Sequence, residues 1–538
     1  FLMTRNAKQH DRALEIRAFE MTESGRARAL LDSLRDVREL RQRSDQTLLA
    51  EEKDLQRDEQ KLVDDRANLV SHGGSEAELA KNDRDLTKVH ADYEALQARI
   101  NSNARFNHLE RPSPLSYEEI RQQLTDPQTS LLSYSLGAQK SFAWLITKDG
   151  LQSFPLPGKE TIESASKQLL DSLSSPAADD AGRDRLQASI DEVSRLVLQP
   201  IADKLPSSRL IVVADGILQY VPFQILKSAN GEPLISRLEI VETPSASVLA
   251  LVRKQRANSQ PGSKLLVGFG DAVFSPEYSP AGASAPRVNE PAQTRSEQIS
   301  KLNRLPQLFN AKRELLAIAE LAGSDSAFFA EYNATRDNLL SLDLSQYRIL
   351  HVVTHGLMDA QHPELSGLVL SLVDANRKPI AGFVSLADIY KLRAPELVVL
   401  SACFTALGKN QDGEGLIGVT RGFMYAGASG VVASLWQVDD RATAELMKRF
   451  YANMLQHNLG PAAALRAAQN EIRSQPQWSS PYYWAGFTFQ GDYDLSIHSV
   501  PSNGVRPYQR LIAGGPILLL LAVVSWWYLR RRASRATS

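Results

Sequence analysis

The chain has 538 residues, 43% of them hydrophobic and 23% charged, enough for about three or four domains with sizeable cores. Its 61 Lys and Arg nearly balance its 62 Asp and Glu, and the net charge of −1 gives no electrostatic footprint for nucleic acid. A lone cysteine, Cys403, excludes a disulfide scaffold without fixing the compartment, and a chain that begins at Phe1 reads as a fragment whose lack of a signal peptide carries no meaning.

The first region is helical. From residue 10 to about 105 there is no proline, and Leu48, Leu55, Leu62 and Leu69 recur every seventh residue. After His72-Gly73-Gly74 the spacing resumes with Leu79, Leu86, Tyr93 and Ile100. This predicts two heptad helices joined at a glycine break, an antiparallel coiled-coil hairpin within a helical region over 1–110 that is compatible with the end of a repeat array. The dense charges between the apolar positions form its solvated face. Such an arm binds or spaces, so its expected partner is a regulatory protein.

A proline-bearing link, "ERPSPLSYEE", ends the helical part. Then "SLLSYSL", "SFAWLIT" and "LQSFPLP" predict three short strands with turns at Gly137 and Asp149-Gly150, followed by helices over about 159–174 and 182–199. After these come five apolar runs: "RLIVVAD" (209–215), "KLLVGFG" (264–270), "YRILHVVTHG" (347–356), "ELVVLSAC" (396–403) and "GVVASLW" (430–436). They alternate with helical patterns at 310–322, 414–427, 440–456 and 460–474. Buried strands alternating with helices predict a largely parallel sheet flanked by helices, an α/β fold. The Ser-, Pro- and Ala-rich stretch 275–300 reads as a loop.

A linker over 496–510 leads to "LIAGGPILLLLAVVSWWYL", 511–529, which carries no charge. As a helix it would be about 28 Å long, the thickness of a bilayer core, with Trp526, Trp527 and Tyr528 placed as an aromatic belt and a basic tail over 530–538. The expectation is one transmembrane helix and a single-pass membrane protein. The positive-inside rule puts the tail in the cytoplasm, whereas a tail anchor would keep the large domain on that side, so the side of the large domain stays open.

In open parallel sheets the ligand crevice lies beyond the carboxyl ends of the strands. The residues there are Asp215, His355, Cys403 and the stretch Trp436 to Asp440. His355 precedes Cys403 by 48 residues, a spacing that resembles the His-to-Cys separation of caspases. A free thiol is mostly protonated at neutral pH, and an adjacent imidazole takes its proton and later hands it to the leaving amine. Gly356 lets its N–H approach a substrate carbonyl, and with the Cys403 N–H it makes a candidate oxyanion hole. The competing readings are a structural histidine and a small buried cysteine.

The residues "DGILQYVPFQIL", "PSASVLALV", "HVVTHG", "LSGLVLS", "VVLSAC", "GEGLIGVTRGFMYAGASGVVASLWQVDDRATAELM" and "PYYWAGF" together resemble the CHAT domain, a caspase-like peptidase domain associated with tetratricopeptide repeats and related to separases, gingipains and caspases. The resemblance covers 111–495, about seventy per cent of the chain, with an N-terminal part over 111–260 and a catalytic part over 261–495. It implies a caspase-like sheet and a peptidase dyad at His355 and Cys403, acting on protein substrates without a metal or other cofactor. Phe404 departs from the family's more frequent "SACET". The similarity of "SLWQVDD" to separases makes Asp439 and Asp440 candidates for holding a basic P1 side chain, with Asp215 another by position alone. Asp440 reads better as the cap of the helix that follows.

"GEGLIG", 413–418, matches a dinucleotide fingerprint, but it does not follow directly on a strand, and Glu414 would repel phosphate; helix entry explains its glycines. His351 and His355 share one face of a strand, yet no third ligand stands at metal spacing. The rival to a peptidase is a catalytically silent, membrane-tethered scaffold that recruits partners through its coiled coil.

Overall fold

The computed structural model describes residues 11–26, helical positions scattered between 51 and 96, and, apart from single positions, 114–275, 310–357, 366–403 and 418–497, together with 305, 307 and 308. The strands are β1 (Thr129–Ser135), β2 (Ser141–Ile146), β3 (Leu151–Leu156), β4 (Arg209–Val213), β5 (Glu239–Glu242), β6 (Lys264–Ala272), β7 (Ser326–Glu331), β8 (Tyr347–Leu357), β9 (Gly367–Val369), β10 (Phe383–Ser385), β11 (Leu397–Cys403), β12 (Gly430–Ser434) and β13 (Phe487–Gly491). All eight predicted strands are present. The unpredicted ones include β5, β9 and β10, which at three or four residues are too short to show a period.

The strands join in one sheet, ordered β10-β9-β8-β11-β12-β13-β5-β4-β1-β2-β3, with β6 pairing to β8 and β7 to β6. In the C-terminal half β7, β6, β8, β11 and β12 are parallel. In the other half β1, β4 and β5 are parallel to one another. β13 links the halves: it is antiparallel to β12 over five residue pairs but meets β5 at one parallel pair, Gln490 with Glu242.

Both faces of this C-terminal half are covered, which is why its strands read as unbroken apolar runs. On one face Ile349, Val399 and Val432 join a core with Leu446, Phe450 and Leu465 of the helices Asp440–Leu455 and Pro461–Arg473. On the other, Leu350, Val398 and Val431 pack with Ile389 and Phe423 of the helices Leu386–Lys391 and Val419–Tyr425. The predicted helices at 159–174, 182–199, 310–322, 440–456 and 460–474 appear with boundaries shifted by three residues at most.

The helix over 12–26 is built into the N-terminal half. Phe19 is fully buried with its ring 6.2 Å from that of Trp144, Glu20 accepts the Tyr117 N–H at 2.9 Å, and Glu23 accepts the Ser247 N–H at 2.7 Å. Of the predicted hairpin, the described positions on both arms are helical, and the Asn82 amide donates to the Leu62 carbonyl at 2.9 Å. Leu62 also packs on a cluster that contains Phe274, Val369 and Phe383.

One expectation is corrected. The stretch 511–529 lies outside the described residues, and among those described no helix is long and apolar enough to cross a membrane. The longest helix among the described residues, Asp180–Val197, has 18 residues and an amphipathic pattern with one face in the core. The described fold is the α/β sheet with its flanking helices, and it supports neither the transmembrane helix nor the single-pass membrane localisation. The predicted loop over 275–300 lies, beyond Ser275, outside the described residues as well.

Candidate functional site at the ends of β8 and β11

β11 runs in register with β8 from Leu397 beside Ile349 to Cys403 beside His355. Both residues thus stand at the same edge of the sheet on neighbouring parallel strands. β8 is long enough to change partner on its other side: β6 pairs with it up to Val352, and β9 takes over at His355, opposite Val369. His355 is 7% exposed, and its ring lies 5.0 Å from that of Phe274. Gly356 lies opposite Leu368 inside the ladder, because β8 continues to Leu357. Cys403 is the last residue of β11, and Phe404 lies outside the described residues. The Ser434 hydroxyl of β12 donates to the Ala402 carbonyl and ties the neighbouring strand to the residue before the cysteine.

His351, four residues or two strand repeats upstream on the same face, is a core residue. It is fully buried, with Nε2 3.0 Å from Glu314 Oε1 and Nδ1 3.1 Å from the Tyr451 hydroxyl. Burial, aided by the nearby Glu314 carboxylate, pushes the Tyr451 phenol well above its ordinary value.

The acidic candidates separate. Asp439, not Asp440, is the N-cap of Asp440–Leu455, accepting from the N–H groups of Arg441 at 3.1 Å and Ala442 at 3.0 Å. Asp440 instead accepts from the backbone and side chain of Asn310, at 3.0 and 2.9 Å, and fixes the start of the helix Ala311–Ala322. Asp215 follows β4, whose block is parallel to β13 and so opposite in sense to β8 and β11; it does not share their carboxyl-end edge. Its carboxylate accepts the Leu136 N–H at 2.7 Å and faces the buried Arg26 at 3.8 Å. Gly418, the last glycine of "GEGLIG", is the N-cap of Val419–Tyr425, a helix entry.

A cavity of about 80 Å³ lies at the seam where β4, β5, β13 and β12 meet. Glu242, Thr488, Gln490, Ser434 and Arg421 are among its walls. Glu242 is 8% exposed, its Oε1 has no hydrogen-bond partner, and the Thr488 hydroxyl stands beside its carboxyl. Burial pushes the Glu242 carboxyl up to about 8, against a smaller opposing pull from the Thr488 hydroxyl. The sequence analysis missed this site because β5 is four residues long. The available signal was "EIVE", a carboxylate closing a strand that is otherwise apolar at its centre.

A pH dependence follows. The Glu242 pKa is higher in the folded chain than in the unfolded one, so stability is full below the ordinary carboxylate range and is lost as pH rises toward about 8. The slope contributed is up to about 1.4 kcal/mol per pH unit. Glu242→Gln removes that contribution, so the variant gains on the wild type between pH 5 and 8 in urea midpoints. Parallel pH curves for the two proteins would show that the carboxyl is ionised when buried.

A CHAT domain model matches residues 187–492, more than half of the chain. Tetratricopeptide repeat protein 28 of Mus musculus is 26% identical over 326 residues, and that of Homo sapiens 26% identical over 325 residues. Each match covers 55% of this chain and 12% of the relative, so the chain spans only a small part of these relatives' length. Among solved structures, the Saccharomyces cerevisiae separase–securin complex matches at 10% identity and TM-score 0.42, covering 76% of this chain and 34% of that one. The Arg-specific cysteine proteinase gingipain R matches at 9% identity and TM-score 0.32, covering 64% of this chain and 75% of that one.

Proposed function

Because the chain belongs to the CHAT domain family, whose model spans both His355 and Cys403, we propose that it is a cysteine endopeptidase with those two residues as its dyad. The observation that carries this reading is the register of β11 on β8, which sets Cys403 directly beside His355 at one sheet edge. In the proposed reaction His355 takes the Cys403 proton, and the thiolate adds to the scissile carbonyl. The imidazolium then protonates the leaving amine as the C–N bond breaks, and water hydrolyses the thioester to release acid and restore the thiol. The backbone N–H groups of Gly356 and Cys403 are the proposed oxyanion donors.

Regulation by a protein partner on the helical N-terminal region is part of the proposal. Its support is the contact of Leu62 with the cluster containing Val369, the residue paired with His355. A partner that moves the hairpin thereby reaches the neighbourhood of the imidazole. The rival reading, a catalytically silent scaffold, draws on the low exposure of His355. Digestion of a peptide library by the full chain, with and without a partner captured on 1–110 and with Cys403→Ala as control, separates the two. Cleavage absent in every wild-type sample leaves the scaffold.

The same digest tests specificity. With Asp439 as the proposed P1 counter-charge, cleavage follows Lys or Arg with about 2–5 kcal/mol of discrimination over neutral side chains. Asn caps a helix as well as Asp does, so Asp439→Asn keeps the stability and loses the preference. Unchanged P1 specificity in a stable Asp439→Asn protein transfers the role to another residue.

A further inference from the structure

We propose that the cavity at the seam of β5, β13 and β12 binds a short organic cation, an ammonium or guanidinium group on an alkyl stem, with the Glu242 carboxylate as its counter-ion. One buried carboxyl oxygen points to a missing partner. Glu242 Oε1 lines the cavity without a hydrogen-bond partner, with the Thr488 hydroxyl beside the carboxyl, and an unsatisfied buried polar atom is costly enough that native structures rarely keep one. A guanidinium or ammonium carries several N–H donors, enough for the ionised carboxylate and for the Thr488 hydroxyl oxygen.

The chain's own cations at this place are engaged elsewhere. Arg421 on the cavity wall donates to the Gln219 side chain at 3.3 Å. Arg466 lines the smaller cavity behind Glu242 and Thr488, and it donates to the carbonyls of Ile235 and Ser236, each at 2.9 Å. The remaining titratable neighbour, Tyr220, supplies no positive charge. Size and lining narrow the ligand further. A volume of about 80 Å³ holds on the order of five waters or one guanidinium-sized group, too little for a nucleotide or a peptide segment. A single carboxylate is too few oxygens for calcium, and Val212, Val419 and Ala433 offer an apolar surface to an alkyl stem. The site is distinct from the proposed dyad, and its occupancy does not depend on peptidase activity. Ser434, which shares the cavity wall, is the residue bonded to the Ala402 carbonyl, so a ligand here contacts the strand beside Cys403.

The test is calorimetric titration of the full chain with propylguanidinium and with its neutral isostere propylurea, at pH 7 in two buffers of different ionisation enthalpy. The expected result is binding of propylguanidinium at least tenfold tighter than propylurea, with net release of protons as the carboxyl ionises. Glu242→Gln, isosteric with the protonated acid and checked for its fold by circular dichroism, loses the proton release and binds at least tenfold more weakly. Equal affinity for the two wild-type probes, binding without proton release, or no heat at millimolar propylguanidinium overturns the proposal, and the wild-type comparison holds whether or not the variant folds.

Discussion

Cys403→Ala and His355→Ala each abolish peptide cleavage, and the double variant cleaves no more slowly than either single one. The expected loss is about a thousandfold or more in kcat/KM for each. Groups that act as one unit are not additive, because removing either member already prevents the covalent step. Iodoacetamide gives an independent reading on this one-cysteine chain. The proposed dyad predicts alkylation of the wild type at Cys403, slower after His355→Ala, because a paired imidazole raises the thiolate fraction. The ring of His355 contacts Phe274, so His355→Gln accompanies His355→Ala to separate lost chemistry from a packing defect. Retention of most activity in both His355 variants would remove the dyad and leave the scaffold reading.

Asp492→Ala lowers the unfolding free energy by about 3–5 kcal/mol, read as a lower urea midpoint at unchanged slope. Asp492 is fully buried at the end of β13, where its two oxygens meet Arg253 at 2.8 Å and Arg256 at 2.9 Å. Gly491 has φ +127°, and a Cβ there would lie 2.3 Å from the Ser429 carbonyl, so glycine lets the Asp492 N–H reach that carbonyl at 2.9 Å. Arg253 also stacks on the Tyr493 ring from 4.4 Å, and Arg209 of β4 from 4.3 Å. One carboxylate therefore ties helix Ala246–Ala257 to the end of β13, and Arg209 of β4 joins them through the Tyr493 ring. Its removal leaves the Arg253 guanidinium, largely buried, without its inner partner. A loss below about 1 kcal/mol would mean that Asp494, 2.8 Å from Arg253, takes over the role.

What could be read from the sequence followed the strength of local patterns. The runs that became β4, β6, β8, β11 and β12 were visible because strands buried on both faces carry no polar alternation. The adjacency of β8 and β11, and with it the register of His355 on Cys403, is a property of tertiary pairing that no local window contains. Asp439 and Asp440 show the resolution limit: both suit a helix start, and one residue of offset decides which caps and which accepts from Asn310. Asp215 illustrates another limit. The edge on which it stands depends on the sense of β13, a strand too short and too polar at its end to predict. The transmembrane expectation rested on hydropathy, an aromatic belt and a basic tail, and finds no helix among the described residues to support it.

The first residue of the family match, 187, falls inside the helix Asp180–Val197, yet β1–β3 lie earlier in the chain and cover one side of β4. A recombinant fragment trimmed to that match would keep "RLIVV" and discard the neighbour that hydrogen-bonds to it over Thr129–Ser133. The result would be an uncapped, uncharged-centred strand edge of the kind that recruits other chains into intermolecular sheets. Residues 12–26 belong with the piece for the same reason, because Arg26 donates to Ser133 on β1 at 2.8 Å and Glu23 secures Ser247. A fragment for biochemistry therefore starts upstream of residue 12, well before residue 187, where the family match begins.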